Sequence, residues 1–148
     1  MRDIVPQDKL AWDWVTDVCK ATAESYGYSA IETPVLEETE LFRRSVGADT
    51  DIVKKEMFAF TDQGGEHVAL RPEMTASMGR AYIEHGLLNQ PKPLKLYQVG
   101  ACYRYERPQS GRLRQFHQFD AEVMGSSEAA TDAEVIGLAY SILRQLGL

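Results

Sequence analysis

Apolar residues fall at helical spacing near the start of the chain. Ala11, Trp14, Val15, Val18 and Ala21 line one stripe of a helix predicted over residues 7–26. Pro6 suits its first turn and Gly27 its end. Residues 28–31 then read as a short strand running into Thr33-Pro34, where proline interrupts regular pairing. A short helix is expected over residues 38–46, closed by Gly47. Residues 57–60 and 67–70 are apolar runs joined by Asp62-Gln63-Gly64-Gly65, which is a hairpin signal. A helix over residues 75–84 stops at Gly86. Residues 94–106 form one extended strand with a kink near Gly100, and residues 114–124 are its hairpin partner. The last helix carries Ala133, Ile136, Ala139, Tyr140 and Leu143 as its apolar stripe, with Thr131 and Glu134 as a capping box and Gly147 as its stop. Helices flanking mostly antiparallel strands make an α+β fold and not a doubly wound βαβ sheet.

At 148 residues the chain has the size of one domain. No apolar run has signal-peptide length at the start, and none is long enough to span a bilayer, so a cytoplasmic protein is expected. Cys19 and Cys102 lie in unrelated segments and read as reduced core thiols. His67, His85 and His117 are not paired with them at ligand spacing, so no metal site is expected. A net charge of -6 argues against non-specific coating of nucleic acid. The charge is uneven, however. Residues 32–40 are acidic, whereas residues 104–114 hold four arginines against one glutamate.

That basic stretch, YRYERPQSGRLRQFHQ at 103–118, holds the densest candidate chemistry. Arg104 and Glu106 alternate on one expected strand, and Arg114, Phe116 and Gln118 on the other. Buried arginines need partners that replace their hydration, and the guanidinium fork fits phosphate. Converging arginines therefore suggest a polyphosphate ligand, with Pro108 and Gly111 shaping a loop over it and Phe116 stacking on a heterocycle. An internal arginine–glutamate network and an RNA grip explain the same residues. In Leu70-Arg71-Pro72-Glu73-Met74-Thr75, Glu73 and Thr75 either hold an ammonium group or cap the following helix. Gln118, Asp120 and Glu122 share a strand face, which reads as an acidic wall for a zwitterion or metal–nucleotide, or as a solvent face.

The pattern Tyr-Arg-x-Glu, a loop, then Arg-x-Phe-x-Gln resembles motif 2 of class II aminoacyl-tRNA synthetases, in its histidyl version. GYSAIETPVL at 27–36 resembles motif 1, whose proline marks the dimer interface. LRPEMT at 70–75 resembles the amino-acid-binding segment, and residues 37–62 also resemble the histidyl family. The resemblance implies a class II catalytic sheet, antiparallel and flanked by helices, of which residues 1–148 are the N-terminal part. It implies ATP with Mg2+, histidine and tRNA(His) as substrates, and a homodimer formed through residues 26–36. Arg104 would contact the α-phosphate and the histidine carboxylate and stabilise the transition state. Glu106 would take the adenine amino group, Phe116 would stack on adenine, and Arg112 would hold the outer phosphates. Glu73, Thr75, Gln118 and Glu122 would bind histidine.

Met74 and Asp120 stand where many bacterial members carry glycine. The family's second histidine-recognition segment, motif 3 and anticodon-binding domain are not found in the sequence, so a fragment of a longer protein is expected. A regulatory paralogue of the ATP phosphoribosyltransferase type, or a non-catalytic fragment, is the alternative. Such paralogues tend to lose the ATP-site residues, which are all present here.

Overall fold

A computed structural model describes every residue except Met1, Ala48, Pro108 and Ser110. It contains four α-helices and six strands among the described residues: α1 (Pro6–Ser25), β1 (Ser29–Ala30), β2 (Leu36–Glu38), α2 (Thr39–Phe42), β3 (Phe58–Thr61), β4 (His67–Leu70), α3 (Thr75–Glu84), β5 (Leu94–Tyr103), β6 (Gln115–Met124) and α4 (Ala129–Gln145). One sheet has the order β1-β5-β6 and the other β2-β4-β3. β4 pairs antiparallel with both neighbours, whereas β1 runs parallel to β5 with Ser29 opposite Leu96. The architecture is α+β, as expected. β6 lies at a sheet edge, beside β5.

The chain divides into two compact units, the boundary falling between Val99 and Gly100 in β5 and between Gln118 and Phe119 in β6. The first comprises Arg2, Glu32–Leu87 and Gly100–Gln118. Its core includes Phe42, Ala69 and Ala76, with Leu41 and Met57 packed against them. The β3–β4 hairpin forms as the Gly64-Gly65 signal required. Gly65 adopts φ +90°, and the Asp62 carboxylate accepts the Glu66 N–H at 2.9 Å. The helix expected over residues 38–46 is α-helical only in α2. It continues as a π-helical turn, Arg43–Gly47, and a second such turn, Ile52–Glu56, precedes β3. Neither turn has a signature in apolar periodicity.

The second unit comprises Asp3–Ile31, Leu88–Val99 and Phe119–Leu148. Its core joins Cys19 and Ala23 of α1 to Tyr28, Tyr97, Leu138 and Ile142. Both helical stripes expected to face the core are instead exposed. Trp14 and Val15 on α1, and Ile136, Tyr140 and Leu143 on α4, are solvent-accessible. Each helix is apolar on more than one side, and periodicity alone cannot say which side meets its own sheet. The capping box is also absent. α4 starts at Ala129, the Thr131 hydroxyl contacts the Ser126 hydroxyl at 2.8 Å, and Glu134 pairs with Lys95 at 2.5 Å.

Tyr97 gives this unit a pH dependence. Its burial, then its 2.7 Å hydrogen bond to the Glu24 carboxylate, push the phenol up to about 12. The unfolded value is about 10. The folded state therefore holds this proton more tightly, so the stabilisation is complete below pH ~10 and is lost as pH rises through ~12. Tyr28, raised by burial and by Glu134 and Glu122, adds to the loss in the same direction. Urea unfolding of Tyr97→Phe over this range is expected to show a shallower decline than the parent chain. Parallel declines would contradict this account.

Candidate active site

β5 ends at Tyr103, so Arg104 and Glu106 lie beyond the strand on which they were expected. Hydrogen bonding explains the change. The Arg104 N–H still donates to the Arg114 carbonyl at 3.0 Å, but the Tyr105 N–H donates to the Glu56 carbonyl at 2.6 Å. The π-helical turn before β3 thus draws the chain off the ladder immediately after Arg104. Tyr105 then packs edge-on against Phe58, with ring centroids 5.5 Å apart, and Arg114 lies 3.9 Å over the Tyr105 ring.

Arg104 is held from two directions. Its Nε donates to the Pro72 carbonyl at 3.0 Å, and its guanidinium carbon lies 5.1 Å from the centroid of Phe116. The first contact ties it to the corner that carries Glu73, and the second to β6. A guanidinium bonded through Nε keeps its outer nitrogens available for an oxyanion. In the loop, Gly111 has φ +80° and Arg112 N–H donates to the Gln109 carbonyl at 2.9 Å, which closes a turn. Pro108, expected to shape this loop with Gly111, lies outside the described residues. Arg112 pairs with Glu106 at 3.3 Å, with Glu106 largely buried and Arg112 largely exposed. The arginine–glutamate network considered from sequence is therefore real for this pair.

Glu73 accepts the Ala76 N–H of α3 at 3.1 Å through one carboxylate oxygen, and Thr75 is the first residue of that helix. The capping geometry is thus present, with Glu73 as the acceptor. Gln118 differs from the others. Its Oε1 is buried without a hydrogen-bond partner among the described residues. An orphaned buried acceptor costs about 1–3 kcal/mol, which a donor such as an ammonium or imidazole N–H would relieve. Arg104, Glu106, Arg112, Phe116, Glu73, Thr75 and Gln118 all belong to the first unit. Glu122 belongs to the second, where with Glu134 it raises the Tyr28 phenol.

His117, between Phe116 and Gln118, is held below its ordinary range by burial and then by the Arg71 charge. Arg71 is the residue that motif reading passed over. It is 3% exposed, and the only sequence signal for it was a lone charge between apolar Leu70 and Pro72. Two concavities of the first unit, one of about 530 Å³ between α2 and the β3–β4 hairpin, contain none of the expected site residues.

Comparison with known proteins bears directly on this arrangement. The family model for histidyl-tRNA synthetase matches residues 1–148. Histidine–tRNA ligase of Desulforudis audaxviator is 52% identical over 146 residues, covering 99% of this chain and 35% of that protein. The ligase of Halothermothrix orenii is 49% identical over 146 residues, with the same coverage. Apo histidyl-tRNA synthetase of S. aureus superposes with a TM-score of 0.84 at 35% identity, over 100% of this chain and 34% of that one. An ATP phosphoribosyltransferase regulatory subunit/histidyl-tRNA synthetase from Bacillus halodurans gives 0.87 at 32% identity, over 100% of this chain and 37% of that one. The chain spans about a third of the length of these relatives. By a match over its whole length and by its fold, the chain belongs to the histidyl-tRNA synthetase family.

Proposed function

We propose that residues 1–148 form the front of the catalytic domain of a histidine–tRNA ligase, which activates histidine with ATP and transfers it to tRNA(His) in the cytoplasm. The observation that carries this reading is the placement of Arg104. It is tethered to the Pro72 carbonyl beside Glu73 and lies over Phe116, in the unit that also holds the orphaned Gln118 acceptor.

The histidine carboxylate attacks the α-phosphorus, the bond to the bridging oxygen breaks, and pyrophosphate leaves. Such a displacement needs alignment and charge neutralisation more than covalent help. Arg104 bridges the carboxylate and the α-phosphate and stabilises the charge that develops between them. Glu73, Thr75 and Gln118, all of the first unit, hold the amino acid. Arg112 turns from Glu106 to the outer phosphates, which frees Glu106 for the adenine amino group while Phe116 meets the ring. ATP enters as its magnesium complex, and the ion is part of the substrate. Residues 26–36 contribute to a homodimer interface.

A second reading, a regulatory paralogue, is favoured by the high similarity to the Bacillus halodurans protein named for both roles. The presence of Arg104, Glu106, Arg112 and Phe116 together supports the ligase. The test is ATP–pyrophosphate exchange by the full-length protein. Exchange is expected only with histidine present, followed by charging of tRNA(His). Absence of histidine-dependent exchange, together with stimulation of an ATP phosphoribosyltransferase, would establish the regulatory reading instead.

A further inference from the structure

Arg71 is a buried cation at the corner between β4 and α3. Its Nε donates to the Ala101 carbonyl at 2.9 Å, and its Nη1 donates to the Thr33 carbonyl at 2.8 Å and the Thr33 hydroxyl at 3.3 Å. The backbone of the same residue adds two bonds. Its N–H donates to the Val35 carbonyl at 2.9 Å, and its carbonyl accepts the Tyr103 N–H at 3.0 Å. One residue therefore fastens three segments that are distant in sequence: the Thr33–Pro34–Val35 stretch, the corner leading to Glu73, and the β5 end leading to Arg104. A buried guanidinium depends on its carbonyl and hydroxyl acceptors to replace its lost hydration, which makes a shift of those acceptors expensive.

The space around it is equally specified. A Cβ built on Gly100 would lie 2.3 Å from Arg71 Nη2 and 3.3 Å from Met74 Sδ. Gly100 is thus the residue that lets the guanidinium reach its acceptors. Its backbone is not in the left-handed region, so the requirement is one of room, not of conformation.

We propose that Arg71 is a positioning residue for amino-acid activation, setting Glu73 and Arg104 relative to each other through the Pro72–Glu73 corner. This rests on the ligase reading above. Two tethers define the path from Arg71 to the chemistry. The Pro72 carbonyl accepts from Arg104 Nε, and the Tyr103 N–H, one residue before Arg104, donates to Arg71 itself. The residues assigned to adenine and the outer phosphates, Glu106, Phe116 and Arg112, make no hydrogen bond with Arg71. Lysine at position 71 would present a compact ammonium in place of the fork and could not serve Ala101 and Thr33 together.

The experiment uses the full-length protein and compares Arg71→Lys with Gly100→Ala, which displaces the guanidinium while keeping its charge. ATP–pyrophosphate exchange and thermal unfolding are measured for both. A misplacement of about 1 Å can lower a rate by up to ~100-fold. The expected result is a rise of about tenfold in KM for histidine and a fall of about tenfold in kcat, with KM for ATP within about twofold of the parent. Gly100→Ala decides the matter if Arg71→Lys does not fold. Folded variants that lose activity with both KM values unchanged would reduce Arg71 to scaffolding and overturn the proposal. So would a folded Gly100→Ala with parental kinetics. A parent protein without histidine-dependent exchange would instead sink the ligase reading, before either variant is made.

Discussion

Arg104→Ala in the full-length protein is expected to lower histidine-dependent ATP–pyrophosphate exchange by about 10²–10³-fold, the loss typical of one pre-placed donor to a developing oxyanion. The fold argues for an effect on kcat above all. Arg104 is bonded to the Pro72 carbonyl through Nε at 3.0 Å and rests on the Phe116 ring, so its orientation is set before substrate arrives. Pre-organisation of that kind acts where charge develops and contributes less to ground-state binding. Arg104→Lys should rescue little, because an ammonium cannot span a carboxylate and a phosphate as a fork does. Stability should change only modestly, since the side chain is half-buried at a strand end. Full exchange activity in Arg104→Ala would remove the residue from the mechanism.

How much of this was legible in the sequence depends on the kind of signal. The β3–β4 hairpin and α3 were read almost to the residue, because Gly64-Gly65 and Gly86 are backbone requirements that act locally. The faces of α1 and α4 were misread. Cys19, Thr22 and Ala23 turn inward, while the larger Trp14 and Val15 turn out, because the partner surface is long-range information that a helical period does not carry. The site shows the same split. The motif residues were singled out through alternation, chemistry and a family resemblance, yet Arg104 and Glu106 were placed on a strand that ends at Tyr103. What ends it is a hydrogen bond from Tyr105 to Glu56, from a π-helical turn that has no periodic signature. Arg71 was passed over for a related reason. The acceptors of its side chain lie 30 to 38 residues away in sequence, so nothing near it marks the charge as buried.

Met74→Gly, which restores the residue many bacterial relatives are expected to carry, should destabilise the first unit by about 3–4 kcal/mol. The reason is that Met74 is fully buried, among the largest side chains that are so, and its sulfur faces Gly100 beside the Arg71 guanidinium. Truncating a buried methionine costs about 2–5 kcal/mol, depending on how far the neighbours collapse into the space. Collapse here is restrained, because Arg71 is fixed by Ala101 and Thr33 and Gly100 has no side chain to move. The backbone itself raises no objection. Met74 has φ -112° and ψ -19° at the N-cap of α3, a position that glycine tolerates. The loss should therefore be a packing loss, and Met74→Leu, which nearly conserves volume, should cost less than about 1.5 kcal/mol. Equilibrium urea unfolding of the two variants separates the cases. A loss below about 1 kcal/mol for Met74→Gly would mean that the corner closes around the vacancy, and that methionine and glycine are interchangeable beside Arg71.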